Sequence, residues 1–122
     1  AAIGNEAAEL ASAVEPLLED PVLMVRVRAA EFLGRIGVIN PQPTLIDVIN
    51  TTTNSVEATE ALNSVVWFKD FFKDRYAVQR SDFHPKSDGA DVDDRLNYIN
   101  GTPYPPKPPK IKKRKNKNTK KS

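Results

Sequence analysis

The chain contains no cysteine, and that excludes a disulfide framework, a thiolate metal site and a cysteine nucleophile. The redox compartment is left open by the same absence. Histidine occurs once and glycine five times in 122 residues. No glycine-rich loop that could cradle a phosphate is present, and no G-x-S-x-G nucleophile elbow. No apolar run approaches the roughly 18 residues of a membrane helix, and no signal peptide opens the chain. The residues by themselves name no reaction.

What is present divides by charge. Nine of the eighteen basic side chains, and none of the sixteen acidic ones, lie from Thr102 onward. That stretch carries +9 and the preceding residues −7. An acidic body with a basic tail argues against a basic nucleic-acid-binding domain. The length allows one small domain at most, with about 75 to 100 residues available for a core.

The chain is organised around residues 17–37, LLEDPVLMVRVRAAEFLGRIG. Val22, Val25, Ala29, Phe32, Leu33 and Ile36 share one face at a 3.6-residue period, which predicts a helix over 21–36 with those six facing the core. Asp20 reads as its N-cap, Pro21 as its first residue and Gly37 as its stop. An earlier helix is predicted from Asn5, its cap, to Glu19, with Ala7, Leu10, Ala11, Val14, Leu17 and Leu18 in phase and Pro16 bending its last turn. Asn40 to Pro43 reads as a linker and Thr44 to Ile49 as a short third helix. A fourth helix is predicted over 55–74, with a capping box of Asn54 and Glu57. Its core stripe is Ala58, Ala61, Leu62, Val65, Phe68 and Phe72. Trp67 and Phe71 on the adjoining faces read as core and inter-helix packing in preference to a ligand-stacking platform.

After Tyr76 the periodicity fails. Residues 77–90 read as an extended loop that packs over a neighbouring domain through Tyr76 and Phe83. A short helix is predicted over 91–100, capped by Asp91 with Asp94 as partner, with Val92, Leu96 and Ile99 apolar and Gly101 as stop. Five prolines in residues 102–110 predict polyproline II, and the lysine-rich end reads as a disordered tail. The expected organisation is helical repeats over 1–75, an irregular arm over 76–104, and a Pro/Lys-rich tail over 105–122.

Candidate chemistry concentrates in the arm. Arg80, Asp82, His84 and Lys86 offer two cations, a carboxylate and the only imidazole, a set suited to an anionic ligand. The aspartates at 82, 88, 91, 93 and 94 with His84 meet no zinc or EF-hand spacing, so no metal site is expected. The tail's Ile111 to Lys115 run suits non-specific polyanion contact. It lacks interleaved aromatics, so specific nucleic-acid readout is not expected. Asn50-Thr51-Thr52 meets the glycosylation pattern.

The order Asp20-Pro21, Val25-Arg26, Arg28-Ala29-Ala30-Glu31-Phe32-Leu33 and Ile36-Gly37 resembles the short bacterial form of the HEAT repeat. Two such helical pairs make the expected fold an all-α, short HEAT-like α-solenoid. Ala1-Ala2-Ile3-Gly4 resembles the end of a preceding repeat, so the N-terminus is expected to be a cut through a longer protein. The Asp20 to Leu33 segment is also similar to a D-P-S-x-x-V-R-x-x-A-A-E-A-L segment near the C-terminus of bacterial formylglycine-type sulfatases. Glu60-Ala61-Leu62-Asn63-Ser64-Val65 looks like their H-A-L-N-A-L segment. The resemblance implies the non-catalytic C-terminal region of a periplasmic or secreted sulfatase, a hydrolase of sulfated sugars or aryl sulfates. Its partner would be the catalytic domain of the same polypeptide, which this region would brace or whose substrate access it would shape. Formylglycine, made in a C/S-x-P-x-R motif, and calcium are implied for that domain only. No serine here heads S-x-P-x-R, and no catalytic residue carries over. The alternative is a free-standing interaction scaffold with a polyanion-binding tail.

Overall fold

The structure, a computed structural model, describes residues 3–102. Five α-helices follow one another: α1 Ile3–Val14, α2 Leu23–Arg35, α3 Gln42–Thr51, α4 Ser55–Phe72 and α5 Ala90–Ile99. Short 3₁₀ turns occupy Glu15–Glu19, Lys73–Tyr76 and Arg80–Asp82. No strand occurs among the described residues, so the protein is all-α, with its helices packed on one another. The centre is α4, which packs against α3 and α5, while α3 also meets α2. The first helix reaches α2 mainly through the 3₁₀ turn that follows it. The polyproline and lysine-rich readings lie outside the described residues.

Proline and polar caps set several boundaries. Pro16 has no N–H, and the first helix gives way to a 3₁₀ turn at Glu15 instead of running on to Glu19. The second helix starts at Leu23, two residues later than Pro21. Asp20 Oδ1 accepts from the Val22 N–H at 2.8 Å, closing a turn around Pro21 in place of the expected N-cap. The third helix begins earlier than Thr44, because a proline at 43 is tolerated in a first turn where its N–H has no partner anyway. Asn54 caps α4 as expected, its Oδ1 accepting from Val56 N at 2.9 Å and Glu57 N at 3.1 Å. The return half of the box is relayed. Asn54 N–H donates to Thr52 Oγ1, and that hydroxyl donates to Glu57 Oε1 at 2.7 Å.

Two helices end on a left-handed glycine. Gly37 (φ 80°) and Gly101 (φ 101°) each follow the last turn, and the next residue's N–H reaches back to Leu33 O and Asn97 O. The start of α5 departs from expectation. Gly89 is its N-cap, and Asp91 lies inside the first turn, where its carbonyl accepts from Arg95 Nη1 at 3.0 Å.

The core joins α2, α3, α4 and α5 in one cluster centred on Leu45, Ile49, Leu62, Val65 and Phe68. On α4 the expected stripe is buried from Ala58 to Phe68, with Phe72 half-buried. On α2 the buried face is Val27, Ala29, Ala30, Leu33 and Gly34. Four of the six residues of the expected stripe are therefore not core: Val25 and Phe32 are half-buried, and Val22 and Ile36 are exposed. Small residues explain the rotation, because Ala30 and Gly34 let the α2 backbone approach its neighbours closely where larger side chains could not. The α1 stripe is thinner still, with Ala11 buried but Leu10 and Leu17 exposed.

The segment after Tyr76 returns to this same core. Tyr76 and Phe83 are buried in it together with Val92, Leu96 and Ile99. The two rings expected to cover a neighbouring domain instead pack within this chain. Lys73, at φ 54°, turns the backbone sharply after α4 and so delivers Tyr76 inward.

Candidate functional site

Arg80, Asp82, His84 and Lys86 all lie at the surface. Arg80 Nη1 donates to the Phe83 carbonyl at 2.9 Å, and Asp82 Oδ2 accepts from the Gln79 N–H at 3.1 Å. Both side chains thus hold their own turn. Asn50 on α3 clamps the loop from the other side. Its Nδ2 donates to Asp82 O at 3.1 Å, and its Oδ1 accepts from the His84 N–H at 2.7 Å. The side chains of His84 and Lys86 are exposed beyond this clamp. Among the described residues no group of three or more His, Cys, Asp or Glu could hold a metal ion.

The polar contacts between α2 and α4 form a small network. Arg28 pairs with Glu60 at 2.9 Å and with Glu31 at 3.2 Å, and Ser64 Oγ donates to Glu31. The hydrogen bond to Glu60, aided by Glu31 and opposed by partial burial, raises the guanidinium above the ordinary arginine range. Arg28 and Glu60 are about half exposed and Glu31 is mostly buried, and the contacts tie α2 to α4.

Among the described residues, two surfaces expose adjoining apolar side chains. The first is a groove where the end of α1 and its 3₁₀ turn meet α2, lined by Val14, Leu17, Met24, Val25, Ala29 and Phe32 together with Arg28. The half-exposed part of the α2 stripe lies here, which explains why periodicity marked it as apolar although it misses the core.

The second surface is aromatic. Trp67 and Phe71, one turn apart on α4, are 43% and 66% exposed. Their rings stack at 5.0 Å with planes 6° apart. Phe68 meets Trp67 edge-on from below and Phe72 does so from the side, so the platform rests on the core. Arg35, in the last turn of α2, lies 5.5 Å over the Trp67 ring. Arg75 lies 6.0 Å over Phe72 and 5.4 Å over Tyr76. Sequence reading placed Trp67 and Phe71 in packing. The available signal was their position: Trp67 follows Asn63 by four residues and Phe71 follows Trp67 by four, on the helix side shared with Asn63 and Asp70.

Compared with known protein families, with curated proteins and with solved structures, the chain matches none.

Proposed function

We propose that this chain is a non-catalytic helical module that seats its groove between the α1 end and α2 against another folded layer. The observation that carries this reading is the apolar groove itself, whose lining from Val14 to Phe32 continues the stripe that would otherwise be core. Burying such a surface contributes roughly 25 cal/mol per Å², so an uncovered stripe favours association. In the parent we favour, a bacterial sulfatase, the opposing layer is the catalytic domain, and the two helical pairs act as HEAT-like braces. The order of the Asp20 to Leu33 and Glu60 to Val65 segments supports that parent. The second reading, a HEAT-type interaction scaffold, uses the same groove for another protein.

Leu17→Cys introduces the only thiol of these 122 residues, at a groove position that is partly exposed, and labelling is read at that residue by peptide mapping. Maleimide labelling is compared between this chain alone and the polypeptide that includes whatever the gene encodes upstream of Ala1. Labelling slowed at least about tenfold in the longer protein supports seating; equal rates overturn it. An upstream C/S-x-P-x-R motif selects the sulfatase, and further helical repeats select the scaffold.

A further inference from the structure

The aromatic face carries two arginines whose charge the fold leaves unanswered. Arg26, Arg28 and Arg95 each reach a carboxylate, and Arg80 is committed to a carbonyl. Arg35 and Arg75 have no carboxylate within 4.0 Å among the described residues, although the first 101 residues carry −7. Arg35 instead lies over the exposed Trp67 ring, and Arg75 over half-buried Phe72 and buried Tyr76. Beside Trp67 and Phe71 is a hollow of about 440 Å³ lined by those two rings with Asn63, Val66 and Asp70; neither arginine lines it. Its one acid, Asp70, is engaged by the Tyr98 hydroxyl at 2.8 Å and by Lys69 at 3.5 Å.

We propose that this face docks an acidic amphipathic segment of a partner protein. An apolar side chain seats against Trp67, Phe71 and Val66, and flanking carboxylates reach the guanidinium groups of Arg35 and Arg75. Exposed Trp with Arg is the combination that concentrates binding energy at protein interfaces, and carboxylates match the forked guanidinium donors. Arg35 lies over Trp67 itself, and Arg75 lies over Phe72, the ring that meets Trp67 and Phe71 edge-on. A continuous polyanion fits this face poorly, because Asp70 lies in the hollow and the body is acidic. This inference is independent of the groove between the α1 end and α2, whose variants leave it unchanged.

Trp67 is the only tryptophan, so its emission reports this surface alone. The probe is a short helical peptide with Leu and Phe on one face and flanking Glu, titrated into the full chain. Its counterpart has Lys at every Glu position, and a single-stranded oligonucleotide of matched charge is the third titrant. The expected result is a saturable Trp67 emission shift with the Glu peptide, at least about tenfold tighter than with the Lys peptide. The Arg35→Glu/Arg75→Glu double variant should reverse that preference while keeping its helical circular dichroism. If it fails to fold, Arg35→Gln/Arg75→Gln should abolish the preference. Equal binding of both peptides overturns the proposal, as does an acidic preference that survives the double variant, because the basic tail would then be the binder. A larger Trp67 shift with the oligonucleotide overturns it in favour of nucleic acid.

Discussion

A Cβ built on Gly34 would stand 2.6 Å from Pro41 Cγ and 3.0 Å from Phe68 Cζ. The α2 backbone therefore lies directly against the proline that opens α3 and the ring at the heart of α4. Gly34 lies in the last turn of α2, where helix propensity favours alanine by at most about 0.5 to 1 kcal/mol. The clash is with a stiff pyrrolidine ring, and overpacking of this kind costs about 1 to 3 kcal/mol. Gly34→Ala is therefore expected to destabilise, read as a lower midpoint in urea. A raised midpoint would show that propensity wins.

Gln42 is buried and its Nε2 donates to both Val65 O at 3.1 Å and Tyr76 O at 2.9 Å. It ties the start of α3 to α4 and to the turn beyond. Gln42→Ala should cost about 2 to 3 kcal/mol, the loss of two buried bonds. Gln42→Glu should cost more at pH 7 than at pH 4, because a carboxylate donates to neither carbonyl while the neutral acid donates to one. Burial raises the folded pKa of that Glu, so its relative stability is greatest at low pH and falls as the pH rises. Chemical denaturation at both pH values reads the sign.

Phe83 is almost wholly buried, whereas Phe32 is only half so. Phe83→Ala is expected to cost about 3 to 5 kcal/mol and Phe32→Ala about 1 to 2. The opposite order would mean that the segment after Tyr76 lies outside the cooperative core. Equilibrium unfolding of the two variants decides it.

Lys73 holds φ 54° and ψ −124°, a backbone region that a side chain strains by about 1 to 3 kcal/mol. Glycine there relieves the strain but adds freedom to the unfolded chain, worth about 0.4 to 1 kcal/mol. Lys73→Gly should thus be neutral to stabilising by about 1 kcal/mol. A fall in the thermal midpoint would show that the Lys73 side chain contributes more than its backbone costs.

Much of this fold was legible where one residue decides a local outcome. Asn54 before α4, Gly37 after α2 and Gly101 after α5 act within a turn of their own position, so sequence alone locates them. The face of α2 was not legible in that way. Val25, Ala29 and Phe32 keep as good a period as Val27, Ala30 and Leu33, and only the approach of α3 and α4 selects between them. Residues 77–90 show no period because their one fully buried apolar side chain is Phe83, with Val78 only half-buried, and Asn50 of α3 holds the backbone on either side of that ring. Of the candidate residues Arg80, Asp82, His84 and Lys86, the first two satisfy their own turn, Arg80 donating to Phe83 O and Asp82 accepting from the Gln79 N–H, which spacing along the sequence does not reveal. The aromatic face was missed because hydrophobic residues next to a core stripe read as more core until exposure is known.

The clamp at Asn50 bears on how the protein can be made. Its amide nitrogen, which secures the loop by donating to Asp82 O, is the same atom to which a glycan would be joined in the Asn50-Thr51-Thr52 sequence. Modification precedes folding in a secretory eukaryotic host, so a sugar placed there would keep the loop from closing over α3. A eukaryotic secretion system would then yield two populations, an unmodified folded form and a glycosylated form with Phe83 dislodged. Production in a host without that machinery avoids the competition altogether.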